Sequence, residues 1–304
     1  MRFVRALIAV AALALPASAS AQHNAAAPLT KPISYQEVAA LTALAPTLRE
    51  SYGADSSQFG ELRLPAGKGR FPTIVLVHGG CWLSQYDYRY LNAMAQALAD
   101  SGYAVWTIEF RRVGNIGGGW PNTFLDVGAA TDHLRELATR FPIDTNRVVA
   151  VGYSAGGQFA LWLPTRRRLA AGTPLYTKSP MRVRGVLSTD GITDMGAFAR
   201  AQRVGCNAAT SQLMGGMPDS VPDRYLQVDP IARVPLGVRS RLLRGYLDHI
   251  VPMDQARRFA ARASAAGDES QWTLLEVSGH FDAVSPLSPV FYHVLDELRS
   301  LFDR

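Results

Sequence analysis

The 304-residue chain has only two cysteines, Cys81 and Cys206. They allow at most one internal disulfide, the alternative being two unpaired thiols. No stretch approaches the ~20 consecutive apolar residues that a transmembrane helix needs, so stable membrane insertion is not expected. Metal-ligand spacings of His, Cys, Asp or Glu are missing, as are a G-x-G-x-x-G fingerprint and a P-loop. No metal and no other cofactor is therefore expected. Charge of one sign is scarce too. The formal net charge is +6, and the basic residues are scattered apart from Arg166-Arg167-Arg168. That triplet follows an apolar helical segment and reads as a solvated edge, so nucleic acid is not an expected partner. Internal repeats are absent, and compositional bias is confined to an Ala/Pro-rich leader. Nothing in the pattern fixes an oligomeric state.

Residues 1–21 are the first positive signal. Arg2 and Arg5 precede a short apolar core, Ala6 to Leu15, which Pro16 breaks, and Ala19-Ser20-Ala21 follows. This order of charged, apolar and small residues reads as a secretory signal peptide cut after Ala21, with an uncleaved anchor as the alternative. A periplasmic or secreted protein is expected. Its oxidising surroundings would let Cys81 and Cys206 pair. About 283 residues then remain, enough for one large domain with a sizeable core.

Residues 22–55 read as a leader, with a helix over 34–48 that has Ser34 as N-cap and Glu37 three positions on. The domain proper is expected over 56–304, where strand and helix patterns alternate. Strands are predicted at 59–64, 73–77, 103–110, 147–151, 183–188, 241–246 and 272–277. Helices are predicted at 88–99, 121–139, 254–265 and 288–302. Such alternation means a mostly parallel, twisted sheet with helices on both faces. Residues 189–235, rich in Gly, Pro and polar groups, read as a small irregular cap near the strand ends.

The most informative stretch is Val148-Val-Ala-Val-Gly-Tyr-Ser-Ala-Gly-Gly157. An apolar strand runs into Gly152-Tyr153-Ser154-Ala155-Gly156, and an apolar helix follows. This is the G-x-S-x-G elbow in its required strand–turn–helix context. A turn so tight leaves no room for side chains at 152 and 156, and it lifts the Ser154 hydroxyl clear of the sheet.

A serine hydroxyl is a weak nucleophile at neutral pH and needs a base, itself oriented by a carboxylate. After such an elbow the acid and then the histidine follow in chain order. His280 lies beyond the last predicted strand, in Ser278-Gly279-His280-Phe281-Asp282. Asp248 follows strand 241–246, in the loop where the acid belongs; Asp190 and Asp194, after the preceding strand, are the alternatives. The oxyanion hole would combine the N–H of Ala155 with one from Gly80 or Cys81, in the loop His78-Gly79-Gly80-Cys81-Trp82. Candidate pocket residues are Trp82, Tyr86, Trp120, Tyr153 and Phe281.

With these motifs together, the chain from about 58 to 302 resembles the α/β-hydrolase superfamily. The HGG-x-W loop, the elbow and Gly279-His280-Phe281-Asp282 resemble the esterase, arylformamidase and prolyl-oligopeptidase-like lineages. So does Met214 to Tyr225 followed by Asp229-Pro230-Ile231. The resemblance implies a serine hydrolase with Ser154, Asp248 and His280 as its triad and no cofactor. A small ester is the expected substrate, because the apparent cap is short; an aryl amide or formamide and a short peptide are the alternatives. A non-catalytic binding module on the same fold is a reading from another class. Cys81 and Cys206 are expected to bond, since the oxyanion loop and the 189–235 excursion both leave the carboxyl end of the sheet.

Overall fold

Seven residues, Phe71-Pro-Thr-Ile-Val-Leu-Val77, show how the sequence builds this fold. In the computed structural model, which describes residues 31–201 and 206–303, they form strand β3 near the middle of the sheet. Ile74 and Leu76 point into one hydrophobic layer, Val75 and Val77 into the other. A strand covered on both faces needs such an uninterrupted apolar run. The expected signal peptide lies outside the described residues.

The other strands are β1 (Leu48–Ser51), β2 (Phe59–Arg63), β4 (Ala104–Ile108), β5 (Ile143–Tyr153), β6 (Gly185–Thr189), β7 (Arg239–Gly245) and β8 (Ser270–Leu275). They form one eight-stranded sheet in the order β1-β2-β4-β3-β5-β6-β7-β8. The β1–β2 and β2–β4 pairs are antiparallel; every pair from β4 to β8 is parallel. Among the described residues, ten α-helices accompany them: α1 (Tyr35–Ala39), α2 (Asn92–Asp100), α3 (Asn122–Asp132), α4 (Leu134–Arg140), α5 (Ala155–Trp162), α6 (Met195–Arg200), α7 (Asn207–Met214), α8 (Pro222–Val228), α9 (Asp254–Ala265) and α10 (Phe291–Phe302). Met94 and Leu98 of α2 and Val294 and Leu298 of α10 bury one face of the sheet. Phe124 of α3, Phe159 and Trp162 of α5 and Phe259 of α9 bury the other. Each such side chain contributes about 1.5–3 kcal/mol on burial.

Three expectations need correction. The helix predicted over 34–48 is only the five residues of α1, and Pro46, which cannot continue a helix, lies between it and the strand that follows. Leu48 instead opens β1, so the sheet begins inside the stretch read as leader. The predicted helix 121–139 is divided into α3 and α4 at His133. Nearby, the Thr131 hydroxyl donates to Val127 O at 2.8 Å, a back-bond that bends helices. The 189–235 excursion is not irregular, for it holds α6, α7 and α8. Their signals are local: Asp194 caps α6 by accepting from Ala197 N at 2.7 Å, Gly215 ends α7 in the left-handed region, and Pro222 opens α8.

Because β3 and β5 to β8 run parallel, the loops at their carboxyl ends share one edge of the sheet. His78–Trp82, Ser154, Asp190, Asp248 and His280 all lie there, at the crevice where open α/β sheets bind ligands.

Candidate active site

Ser154 stands between β5 and α5 at φ 54° and ψ −121°. A non-glycine residue in that region costs on the order of 1–3 kcal/mol and persists only where its surroundings impose it. Here its N–H donates to Thr189 O at 2.9 Å, and its carbonyl accepts from Gly157 N at 2.9 Å and Ile192 N at 3.2 Å. A Cβ at Gly152 would collide with the carbonyl oxygen of Gly156, and one at Gly156 with that of Val77. Glycine at both positions is thus a steric demand of the turn.

His280 Nε2 lies 3.1 Å from Ser154 Oγ, and His280 Nδ1 lies 2.7 Å from Asp248 Oδ2. All three residues are buried. With its proton on Nδ1 the ring donates to Asp248 and leaves Nε2 free to accept from the serine hydroxyl. The other oxygen of Asp248 accepts from Ile250 N at 2.6 Å and Val251 N at 3.2 Å. Burial alone would raise the Asp248 carboxyl, but the His280 ring and the Arg244 guanidinium outweigh it and hold the carboxyl below the ordinary range.

Arg244 is buried on β7. Its Nη1 contacts Asp248 Oδ2 and lies 2.9 Å from Asp190 Oδ1. Asp190 also accepts from Gly245 N at 2.8 Å, and burial together with the Asp248 charge pushes its carboxyl upward. The carboxylate that accepts from the His280 ring is that of Asp248. Asp190 turns to Arg244, and Asp194 caps α6 and pairs with Arg258 at 3.3 Å. Ligand atoms of Asp190, Asp248 and His280 lie within 4.8 Å of one another. A metal does not fit there, because Arg244 already supplies the cation between the two carboxylates.

The loop after β3 takes an unusual path. Gly80, Cys81 and Trp82 follow one another at φ 100°, 55° and 58°. Several bonds impose it. Gly79 N donates to Tyr90 Oη at 2.7 Å, His78 Nε2 lies 3.1 Å from Glu109 Oε1, and Arg112 donates to Tyr86 O at 2.7 Å. Cys81 is bonded to Cys206, at the start of α7, with Cα atoms 4.9 Å apart. Among the described residues, nothing accepts from the N–H groups of Gly80, Cys81 or Ala155. Gly80 and Cys81 border the same cavity as Ser154 and His280.

That cavity measures about 230 Å³, and five of its lining side chains are aromatic: Tyr35, Tyr86, Tyr90, Tyr153 and Phe281. Trp82 and Trp120, expected on this wall, lie elsewhere. Trp82 is only 1% exposed and packs into the core. Trp120 sets its ring edge against Phe124, with centroids 5.6 Å apart. Trp82 is fully buried and Trp120 partly buried against the same core, as large apolar surfaces favour. A larger cleft, about 790 Å³, opens among Arg167, Arg182 and Arg239 at the other ends of the strands, away from Ser154.

Sequence reasoning overlooked Arg244, Tyr35, Gln36 and Tyr90. Arg244 had a signal, a lone charge within Leu242-Leu243-Arg244-Gly245 of a buried strand. Tyr90 lay inside a predicted helix and Tyr35 inside the leader, and no local pattern reports where those elements dock.

Residues 61–262 match the BD-FAE family. No curated protein sequence matches this chain. Solved structures do. A truncated carbohydrate esterase from gut microbiota superposes with a TM-score of 0.72 at 20% identity, over 90% of this chain and 100% of that one. An esterase of Thermogutta terrifontis, solved with propionate bound, gives 0.67 at 18% identity over 83% and 93%. A bifunctional GH43-CE protein of Bacteroides eggerthii gives 0.68 at 23% identity over 83% of this chain, which spans only 37% of that protein. The sheet order, the elbow and the family match agree: this chain belongs to the BD-FAE family and has an α/β-hydrolase fold.

Proposed function

We propose that this protein is an exported serine esterase that cleaves small-molecule esters through an acyl-enzyme. The observation that carries the reading is the hydrogen-bonded chain Ser154–His280–Asp248 at the wall of a cavity that Gly80 and Cys81 also line. Ser154 Oγ attacks the ester carbonyl carbon as its proton passes to His280 Nε2. Asp248 holds the ring in the required tautomer and offsets the imidazolium charge. The carbonyl oxygen becomes an oxyanion that the N–H groups of Ala155 and of Gly80 or Cys81 stabilise. One such donor is worth roughly 10²–10³ in rate. When the tetrahedral intermediate collapses, the carbon–oxygen bond to the alcohol breaks and His280 returns the proton to the leaving oxygen. Water then attacks the acyl-Ser154 ester and gives its proton to His280; as the bond to Ser154 Oγ breaks, His280 returns that proton to Oγ, and the acid leaves.

The neighbours support ester chemistry. One is a carbohydrate esterase, and the Thermogutta terrifontis enzyme has also been solved phosphonylated by sarin. The short apolar core and the Ala19-Ser20-Ala21 site, together with the disulfide, support export to the periplasm or beyond. A panel of p-nitrophenyl esters and aryl formamides tests the reading. Esters of short acids should be turned over, and Ser154→Ala should abolish that turnover. Formamides hydrolysed faster than every ester would move the assignment to an amidase. No turnover of any carbonyl substrate would favour a binding module.

A further inference from the structure

Helix α1 has five residues, too few to persist alone. Two features fix it. Ser34 Oγ accepts from Glu37 N at 3.3 Å while Glu37 accepts from Ser34 N at 2.8 Å, a closed capping box. Val38 inserts into the layer that holds Tyr90 and Leu91. The segment is also clamped to the histidine loop. Asp282 Oδ2 accepts from Ile33 N at 3.3 Å and from Gly279 N, next to His280, at 2.7 Å. Pro32 fills the space beside Gly279, so that a Cβ there would meet it at 2.6 Å.

Held this way, the Tyr35 ring lies 5.8 Å from that of Tyr86, 5.7 Å from Tyr90 and 5.8 Å from Phe281. Those three rings and Tyr35 itself border the cavity, with exposed Gln36 at its rim. One wall of the cavity therefore comes from a segment that precedes the sheet, whereas Ser154, Asp248 and His280 come from the loops after β5, β7 and β8.

We propose that Tyr35 is a specificity-determining residue: docked by the capping box and the Asp282 clamp, it limits the size of substrate group that can lie beside Ser154. The proposal rests on the esterase reading of that site. Removing the Tyr35 ring enlarges the cavity, so bulky groups gain relative to small ones. Tyr35→Phe keeps the ring contacts and keeps the selectivity. A bulky residue at the exposed rim, as in Gln36→Trp, narrows the cavity and moves selectivity the other way.

The test uses the full chain and two substrate series, p-nitrophenyl esters from acetate to decanoate and acetates of increasingly large phenols. The expected result is a change of about tenfold or more in kcat/KM for the largest member relative to the smallest, in at least one series. Tyr35→Ala raises the ratio, Gln36→Trp lowers it, and Tyr35→Phe leaves it within about twofold. Unchanged ratios in both series for Tyr35→Ala, or for Gln36→Trp should the first variant not fold, would overturn the proposal. Labelling by a fluorophosphonate separates the two levels. Wild type that labels but shows no selectivity change in the variants contradicts the role of Tyr35 alone, whereas wild type that does not label at Ser154 contradicts the esterase reading beneath it.

Discussion

Arg244 offers the sharpest test of how the acid is held. Its side chain is 1% exposed, and those of Asp190 and Asp248 are fully buried. Arg244→Met keeps the apolar stem and deletes the charge. The variant leaves two buried carboxylates close together, faced by the His280 ring and the N–H groups of Gly245, Ile250 and Val251. Breaking a buried pair by removing one partner costs about 3–5 kcal/mol. At a few degrees per kcal/mol for a chain of this size, that is a drop in Tm of roughly 10 °C. The pH dependence fixes the sign. In the wild type the Asp248 carboxyl is held low, so its contribution to stability is present above the unfolded value of about 4 and is lost as pH falls through the folded value. The Asp190 carboxyl is already held high by burial and by the Asp248 charge, and losing the guanidinium raises both carboxyls relative to the wild type, so the folded variant takes up protons at higher pH than the folded wild type does. The stability deficit should be largest near pH 8 and should shrink towards pH 5. Urea denaturation of both proteins at the two pH values measures it. A deficit below about 1 kcal/mol at pH 8, or one that grows on acidification, would refute this account of Arg244.

Other expectations follow from the same geometry. Asp248→Asn should lower kcat by about 10³–10⁴-fold, since the ring loses its orienting acceptor. Asp190→Asn should cost far less, and steady-state kinetics showing the reverse ranking would place the acid after β6. Cys206→Ser opens a covalent loop whose ends are 125 residues apart, a loss of about 4–5 kcal/mol in the chain-entropy treatment. Urea midpoints of the variant and of reduced wild type should then coincide below that of oxidised wild type, and a variant as stable as oxidised protein would contradict the estimate.

The fold was legible where a pattern had local causes. The β-branched run Thr73 to Val77 fits a buried strand covered on both faces, and the elbow glycines announce a turn that admits no side chain. The candidate triad was legible because parallel strands carry their loops to one edge, so chain order alone brings residues 154, 248 and 280 to the same crevice. Other features depend on docking. The five-residue α1 is visible as a capping box at Ser34 and Glu37, but its seat against Phe281 and Tyr90 depends on contacts more than 50 residues away in sequence. The placement of Trp82 and Trp120 went wrong for a related reason. Proximity in sequence to the loop after β3 says nothing about which side of the backbone an aromatic ring takes, and both rings pack against apolar neighbours. The excursion's helices are hidden in the sequence because Gly and Pro also signal loops, whereas Gly215 and Pro222 here bound short helices.

The central claim is that Ser154 is the nucleophile, and covalent labelling tests it most directly. Full-length protein is treated with a fluorophosphonate, digested, and its peptides are weighed and sequenced by mass spectrometry. The account predicts one adduct per chain, on Ser154, formed in step with loss of esterase activity and absent from Ser154→Ala. An adduct on another residue, or a Ser154→Ala variant that keeps a tenth of wild-type esterase activity instead of losing roughly 10⁴-fold or more, would contradict it.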